Sequence, residues 1–285
     1  MYEMKKIIVD KLLNELAPIS LPGLDKVKLL NRIDRKYIIP VSNLQGIIEV
    51  LKKNEYSVLE IEGKRSFSYL TTYYDSPDFQ FYHDHHNQLT SRIKARTRSY
   101  LESNLHFFEI KMKNNIRTKK VREKLTGPGS VLTISQSDKI KELYSKELDG
   151  PLQTTLVNRY NRVTLVNKAQ TERCTIDVNL TYTAPENPGK EISVNEIAII
   201  EIKQSKTSLL NGIIASLRNM QVYPSSISKY VLGLILTHPE IKHNTFKPLL
   251  QLINKIKTQQ QTIHQNLNFK HYEKVSIPAA RVYSF

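Results

Sequence analysis

The sequence has few of the features that mark a disulfide framework, a membrane span or a nucleotide-binding loop. It has one cysteine, Cys174, so no disulfide framework exists and a reducing compartment is expected. Cys174 lies on the apolar face of a predicted strand, which makes it a poor nucleophile. No apolar run approaches the roughly 20 residues that span a bilayer. Neither a glycine-rich phosphate loop, a Walker signature nor a signal-peptide pattern occurs. We therefore expect a soluble, cytoplasmic chain.

Acidic residues are also scarce. The chain has 27 Asp and Glu against 42 Lys and Arg, a net charge of +15. Such an excess favours a polyanionic partner: nucleic acid, an anionic membrane surface or a phosphate-rich small molecule. Single-strand binders interleave stacking aromatics with their cations. On the most basic predicted strands only Tyr100 and Phe107 could stack, so we expect no specific nucleic-acid partner.

The most informative pattern is the alternation over residues 91–113, which predicts a hairpin with one strongly basic face. Its first strand would present four cations on one side. A turn at residues 102–104 would follow, and the second strand would place Phe107, Glu109, Lys111 and Lys113 on one face. A solvated face is the simplest interpretation of such a strand. The four cations of the first strand are Arg92, Lys94, Arg96 and Arg98.

Distant strands repeat this mixture of charges, which weakens the interpretation as a solvated surface. Facing cations repel across a sheet, so collecting them requires either water or a bound anion. A closed barrel with a polar interior would provide the second. In the run over residues 155–166, Arg159 and Arg162 face opposite ways if the strand is regular, and only one can point inward. The other charged pairs are Asp34 with Lys36, Arg173 with Asp177, and Glu201 with Lys203.

Helix patterns occur between and after these strands. They cover residues 5–16, a helix opened by a capping box from Ser42 to Gln45, and residues 137–148, 209–217 and 249–256. The glutamine-rich segment near the C-terminus is expected to be weakly ordered. We expect an N-terminal helix in residues 1–30, a main domain in 31–237, and a helix with a basic tail in 238–285.

One loop invites a metal-site hypothesis, because His83, Asp84, His85 and His86 are adjacent. Adjacent loop residues rarely converge on one ion. We therefore interpret the segment as a polar surface turn.

Taken in strand order, the charged motifs resemble the VTC domain, the polyphosphate-polymerase branch of the triphosphate tunnel metalloenzymes, also called CYTH-like proteins. Any single motif is weak, but seven occur in the family's order, over about residues 31–237. They are Asp34-x-Lys36-Tyr37, Lys94-x-Arg96-x-Arg98-x-Tyr100, Glu109-x-Lys111, Tyr160-x-Arg162, Arg173 with Asp177, Glu201-x-Lys203 and Ser228-Lys229-Tyr230.

The resemblance implies an α+β fold: a closed, antiparallel eight-stranded β-barrel, the triphosphate tunnel fold, with helices packed outside. It implies a transferase that uses a divalent metal, Mn²⁺ or Mg²⁺. Such a polymerase moves the terminal phosphate of bound ATP onto a growing chain and releases ADP. The implied partners are ATP and inorganic polyphosphate or pyrophosphate.

Carried onto this sequence, the resemblance also assigns site residues. Glu201 would be the principal metal ligand, with Glu109 and Asp177 as weaker candidates. The catalytic set would be Lys36, Arg96, Arg98, Lys111 and Glu201. The phosphate-binding residues would be Lys36, Lys94, Arg96, Arg98, Lys111, Arg162, Arg173, Lys203 and Lys229.

Two departures from the family pattern qualify this assignment. Many tunnel enzymes begin with Glu-x-Glu-x-Lys, whereas this chain has Arg32-x-Asp34-x-Lys36. The missing carboxylate argues against a two-metal hydrolase. The sensing domain and membrane helices of eukaryotic relatives are also missing, so any membrane crossing would need a separate membrane-protein partner. The alternatives are a metal-dependent inorganic triphosphatase or NTPase and a non-catalytic polyanion-binding module.

Overall fold

The computed structural model describes residues 11–25, 32–115, 117–144, 146–205 and 212–275. Its main element is a single sheet. The strands are β1 Ala17–Ile19, β2 Arg32–Pro40, β3 Tyr56–Leu59, β4 Phe67–Asp75, β5 Ser91–Tyr100, β6 Leu105–Asn114, β7 Arg117–Leu125, β8 Gln153–Asn167, β9 Glu172–Thr183, β10 Glu191–Val194 and β11 Ile197–Ser205.

Eight of the eleven strands form one continuous antiparallel path, in the order β2-β11-β9-β8-β4-β5-β6-β7. β10 extends β9, and β3 joins β8 and pairs in parallel with β1. The α+β antiparallel class is confirmed, and the predicted basic hairpin is the β5-β6 pair.

The expected closed barrel is wrong. Among the described residues, the end strands β2 and β7 do not pair with each other, and the sheet has eleven strands instead of eight. β7 has the sequence RTKKVREKL, with exposed charged side chains on both faces. Charges on an edge strand disfavour further pairing. The sheet nevertheless curls, because residues from all eight strands of the path line one cavity.

Helices pack against the curled sheet and complete its hydrophobic core, most of which the strands supply. The buried stripe of α2 is Leu44, Ile47, Ile48 and Leu51, as its spacing predicts. The helices are α1 Leu21–Asp25, α2 Leu44–Lys53, α3 Gln80–His86, α4 Ile134–Leu143, α5 Ile213–Asn219, α6 Lys229–Thr237 and α7 Lys247–Val275.

The short helix α6 is buried along six consecutive residues and packs on β8 and β9. Gly233 makes this close approach possible. A Cβ atom at this position would lie 2.4 Å from Leu156 and 2.5 Å from Tyr182, a distance that side chains do not tolerate. The packing fixes the N-terminus of α6, and with it Ser228 and Lys229, against the sheet.

Some local predictions need correction. The expected capping box at Ser42 does not form, since a 3₁₀ turn over Val41–Asn43 precedes α2, and Asn43 makes no side-chain cap. A capping box formed by Thr133 and Gln136 does open α4. This helix begins at Ile134, three residues before its predicted start. The glutamine-rich segment, expected to be weakly ordered, continues α7.

The predicted helix over residues 5–16 is only partly visible. Residues 11–13 are helical and residues 5–10 lie outside the described part of the chain. Within that described part, no helix is both long and apolar enough to cross a membrane.

Candidate functional site

The curled sheet encloses a cavity of about 390 Å³, here called the basic cavity. Ten Lys and Arg side chains line it against four carboxylates. The segment 227–229, before α6, completes the wall. The charged lining residues are Asp34, Lys36, Lys94, Arg96, Arg98, Glu109, Lys111, Lys120, Arg122, Arg162, Asp177, Glu201, Lys203 and Lys229.

Three of these lysines form a row across neighbouring strands. Lys94 pairs in register with Lys111, and Lys111 with Lys120. Like charges directly opposite each other destabilise a sheet. Among the described residues none of the three in this lysine row forms a salt bridge, although the charges of Glu201 and Asp34 partly favour the charged form of Lys111. Such an arrangement is typical of an anion-binding surface.

Burial and repulsion together lower the pKa values of two of these lysines. Burial, followed by repulsion from Lys36 and Lys120, lowers the pKa of Lys111 from 10.5 to about 8. The Lys111 side chain is reached by solvent but surrounded by the cavity walls. Burial, followed by repulsion from Lys36 and Lys111, holds the pKa of Lys94 well below its usual range. A bound anion would relieve both shifts.

Neutral acceptors position two of the lysines. Lys36 Nζ donates to the carbonyl oxygen of Ile227 at 3.2 Å, and Lys94 Nζ donates to Ser228 Oγ at 2.9 Å. The Ser228 hydroxyl also accepts from the backbone of Val231 as the N-cap of α6. The segment before α6 thus orients the two ammonium groups without neutralising them.

In the next row along β5, a carboxylate offsets the positive charge of two arginines. Glu109 lies between Arg96 and Arg122 in register. Its Oε2 accepts from Arg96 Nε at 2.8 Å and lies 2.7 Å from Nη2, and its Oε1 is 3.4 Å from Arg122 Nε. Burial would raise the pKa of Glu109, but Arg96 and Arg98 lower it overall. This arginine row holds its guanidinium groups in fixed orientations.

Asp177 forms the strongest ion pair in the cavity. Arg162 donates to both of its oxygens, at 2.5 and 2.8 Å, and Lys229 also donates to Asp177 Oδ2. Burial opposes ionisation, but Arg162 and then Lys229 hold the pKa of Asp177 well below its usual range. Because cations already contact both oxygens, a metal ion at Asp177 would have to bind close to Arg162 and Lys229.

Glu201 is the carboxylate best suited to a divalent ion. Its Oε2 lies 2.5 Å from Lys203 Nζ, and its Oε1 makes no hydrogen bond among the described residues. Although burial opposes ionisation, Lys203 and Lys36 lower its pKa to about 2, so it stays ionised. Mg²⁺ commonly binds one or two carboxylates together with substrate phosphates. The donors present fit an ion carried with a phosphate ligand.

The structure gathers most of the predicted site residues. All three predicted metal-ligand acids and eight of the nine predicted phosphate-binding residues line the cavity. The ninth, Arg173, does not line it and donates from Nη2 to the carbonyl oxygen of Leu24 at 2.8 Å. Arg162 faces the cavity while Arg159 is exposed, which resolves the alternative that the alternation left open.

Sequence reasoning missed two lining cations, Lys120 and Arg122. They lie on β7, whose alternation assigns no inward side because both faces of the strand are charged. The register with β6 is the signal that identifies them, because each lies opposite a predicted site residue.

The histidine cluster is better explained as part of the packing of helix α3 than as a metal site. It lies in helix α3, partly buried, and so is not the surface turn we expected. Asp84 accepts from Tyr144 Oη at 2.7 Å and from Lys146 Nζ at 2.5 Å. Across the described ranges, no three His, Cys, Asp or Glu side chains converge as a metal site.

Fold and cavity together define a class of protein in which a curled antiparallel sheet surrounds a strongly cationic cavity. The model of the VTC domain matches residues 31–238, so this chain belongs to the VTC domain family. A comparison with curated proteins found no match.

Solved structures with a similar fold have low sequence identity. A candidate adenylyl cyclase from Hippeastrum, HpAC1, described as having a dominant triphosphatase activity, is 12% identical, with 75% of this chain and 100% of that chain covered and a TM-score of 0.45. A candidate adenylate cyclase from Vibrio parahaemolyticus is 11% identical, with 72% of this chain and 99% of that chain covered and a TM-score of 0.42. A Pyrococcus horikoshii protein is 14% identical, with 72% of this chain and 98% of that chain covered and a TM-score of 0.37.

Proposed function

We propose that this protein is a metal-dependent polyphosphate polymerase that transfers the γ-phosphate of ATP to a growing chain of inorganic polyphosphate. The observation that carries the proposal is the lysine row. Lys94, Lys111 and Lys120 face one another across three strands inside the cavity, and among the described residues none of the three forms a salt bridge.

The row costs folding free energy unless an anion is bound. A linear chain of phosphates repeats its negative charge, so it can contact successive rows of cations along the cavity. The lysine and arginine rows lie two residues apart along β5, or about 7 Å. One phosphate chain lying along β5 would therefore contact both rows. The four carboxylates of the cavity are too few to neutralise its ten cations in place of such a chain.

Transfer requires little from the protein beyond positioning and charge neutralisation. An oxygen of the terminal phosphate of the chain forms a bond to the γ-phosphorus of ATP. The bond from that phosphorus to the β,γ-bridging oxygen breaks, so ADP leaves and the chain grows by one phosphate. Arg96 and Arg98 would hold the phosphates with planar donors, and Lys36 and Lys111 would neutralise developing charge. A divalent ion held by Glu201 and phosphate oxygens would supply further neutralisation.

The state of the carboxylates favours a phosphate over water as the acceptor. Attack by water is assisted by a general base whose pKa lies near the working pH. Glu109, Asp177 and Glu201 all have lowered pKa values and are engaged by cations. An acceptor phosphate is already an anion and needs no such base. Hydrolysis of triphosphate is the alternative that the experiment must exclude.

The test is to incubate the protein with ATP and Mn²⁺, with and without a short polyphosphate primer, and to follow products by phosphorus NMR. We expect mid-chain phosphate signal to grow with ADP. Orthophosphate without chain signal would identify a hydrolase. Tight triphosphate binding without turnover would identify a non-catalytic binding module.

Substitution of the lysine row sharpens this test. Lys111→Met removes a central cation, and Lys119→Met removes an exposed one from the next strand, where Lys119 lies opposite Met112. We expect chain synthesis to fall in the first variant and to persist in the second. Equal activity of the two variants would contradict the proposed role of the row.

A further inference from the structure

Past the arginine row, the face of the sheet that lines the basic cavity continues into aromatic side chains. Tyr100, Tyr69 and Tyr160 lie in register across β5, β4 and β8. The Tyr69 ring is stacked on that of Tyr160, with centroids 5.1 Å apart, and contacts Tyr100 at 4.8 Å. This tyrosine row lies six residues beyond the lysine row on β5, a distance of about 20 Å, and the arginine row lies between them.

Arg122 forms an extended planar surface at this aromatic end. Its guanidinium carbon lies 3.6 Å from the centroid of the Phe107 ring. Its Nη2 donates to Tyr100 Oη at 2.8 Å, and its Nε pairs with Glu109. Three partners thus fix the plane of the guanidinium group. One face of that plane lies on Phe107, and the side chain is 48% exposed.

The environment of Arg122 differs from that of the other arginines in the cavity. Arg98 and Arg162 also contact the ring of Tyr69, but their side chains are only 10% and 15% exposed. They are therefore enclosed. Arg122 lies in the arginine row, and its side chain is about half exposed. Arginine planes of this kind stack nucleobases in recognition sites.

We propose that the Arg122 guanidinium, supported by Phe107 and Tyr100, is the stacking platform for the base of the nucleoside triphosphate. This inference rests on the proposed function, since it places the triphosphate along the arginine and lysine rows. The nucleoside then lies at the aromatic end, and the γ-phosphate points toward Lys94, Lys111 and Lys120. The terminal phosphate of the growing chain accordingly meets the γ-phosphate at the lysine row.

Stacking tolerates different bases because every base has a flat face. The platform should therefore accept any base without strict selection. Purines should bind more tightly than pyrimidines because their flat surface is larger. Inorganic tripolyphosphate lacks a base and gains nothing from the platform. The difference in affinity between ATP and tripolyphosphate consequently isolates the contribution of the platform from that of the cations.

The experiment measures the dissociation constants of ATP, UTP and tripolyphosphate by calorimetry in the presence of Mg²⁺. Arg122→Lys keeps the charge but removes the plane, and Phe107→Leu keeps apolar volume but removes the ring. Lys119→Ala, on the outer face of the same strand, is the control. Thermal unfolding confirms that each variant is folded.

We expect ATP to bind the unaltered protein more tightly than UTP. Either platform variant should weaken ATP binding by about tenfold while tripolyphosphate affinity changes by less than about twofold. Parallel losses of ATP and tripolyphosphate affinity would show that Arg122 only holds phosphate, and equal affinities of all three ligands for the unaltered protein would exclude a base site. Both results overturn the inference and leave the proposed function intact. Failure of the unaltered protein to bind tripolyphosphate would overturn both.

Discussion

At the scale of single residues, the carboxylates of the basic cavity have different freedom to bind a metal ion. Both oxygens of Asp177 and both oxygens of Glu109 are held by cations. Glu201 pairs through one oxygen only. Of these three acids, the one with the fewest internal contacts is thus the one that the family resemblance assigns as principal ligand.

We predict that Glu201→Gln abolishes metal-dependent turnover, by at least about 100-fold, and leaves the protein folded. The amide keeps the shape but cannot supply an anionic oxygen. Metal-free tripolyphosphate binding should be retained or strengthened, because one negative charge is removed. Turnover assays and calorimetry check both results. Glu191→Gln, exposed on β10, is the control, and full activity of Glu201→Gln would contradict the assignment.

Lys111 predicts how binding depends on pH. Its pKa of about 8 means that the ammonium group is lost as pH rises above this value. We expect tripolyphosphate affinity to decline between about pH 8 and 9.5 in the unaltered protein. In Lys111→Arg this decline should disappear, because a guanidinium stays charged. Calorimetry over a pH series makes the measurement, and an unchanged decline in the variant would assign the titration to another group.

The same shift has the opposite effect on the ligand-free fold. Lys111 binds its proton less tightly when folded, so between about pH 8 and 10.5 the unfolded state binds more protons. The contribution of Lys111 to stability therefore increases with pH in this window. Denaturant unfolding without phosphate should show this increase, and Lys111→Met should reduce it.

At the scale of secondary structure, the edge strand β7 combines a cost in stability with a contribution to binding. Lys120 lies opposite Lys111, so their repulsion acts across the β6-β7 pair. We predict that Lys120→Glu stabilises the ligand-free protein by about 0.2–1 kcal/mol, because facing charges become opposite. The same change should weaken tripolyphosphate binding by about tenfold or more, since it removes a charge-assisted contact.

The matched variant is Lys119→Glu, which alters the net charge equally on the other face of β7. Thermal unfolding and calorimetry on both variants separate the local effect from net charge. If Lys119→Glu weakened tripolyphosphate binding as much as Lys120→Glu, the change in net charge would explain the loss. The proposed role of the lysine row would then be contradicted.

At the scale of the whole molecule, the net charge of +15 and the cationic cavity predict that anions act as stabilising ligands. Tripolyphosphate at 100 times its dissociation constant should add about 2.7 kcal/mol to the free energy of unfolding. The unfolding midpoint should rise by several degrees. Sulfate at equal ionic strength should produce a smaller rise, because it only screens the cations. Equal rises would indicate screening without specific binding.

Much of the site could be predicted because strand periodicity is a local property. Alternation at a period of two assigns Lys94, Arg96 and Arg98 to one face whatever the strand later pairs with. Arg162 was harder, since Arg159 lies on the same long strand and regularity alone cannot choose between them. A register irregularity between Arg159 and Asn161 accompanies the choice, and no sequence pattern indicates its position.

The sequence by itself determined the strands, their basic faces and the family, because these follow from residue order over short distances. Only the tertiary structure decided which charges neutralise one another. Glu109 holds Arg96 and Arg122, and Asp177 holds Arg162 and Lys229, through contacts between separate strands and the start of α6. The strand register and the curl of the sheet determine these contacts. They also leave the end strands β2 and β7 unpaired with each other among the described residues. Lys94, Lys111 and Lys120 form no salt bridge among the described residues, and they face one another in register.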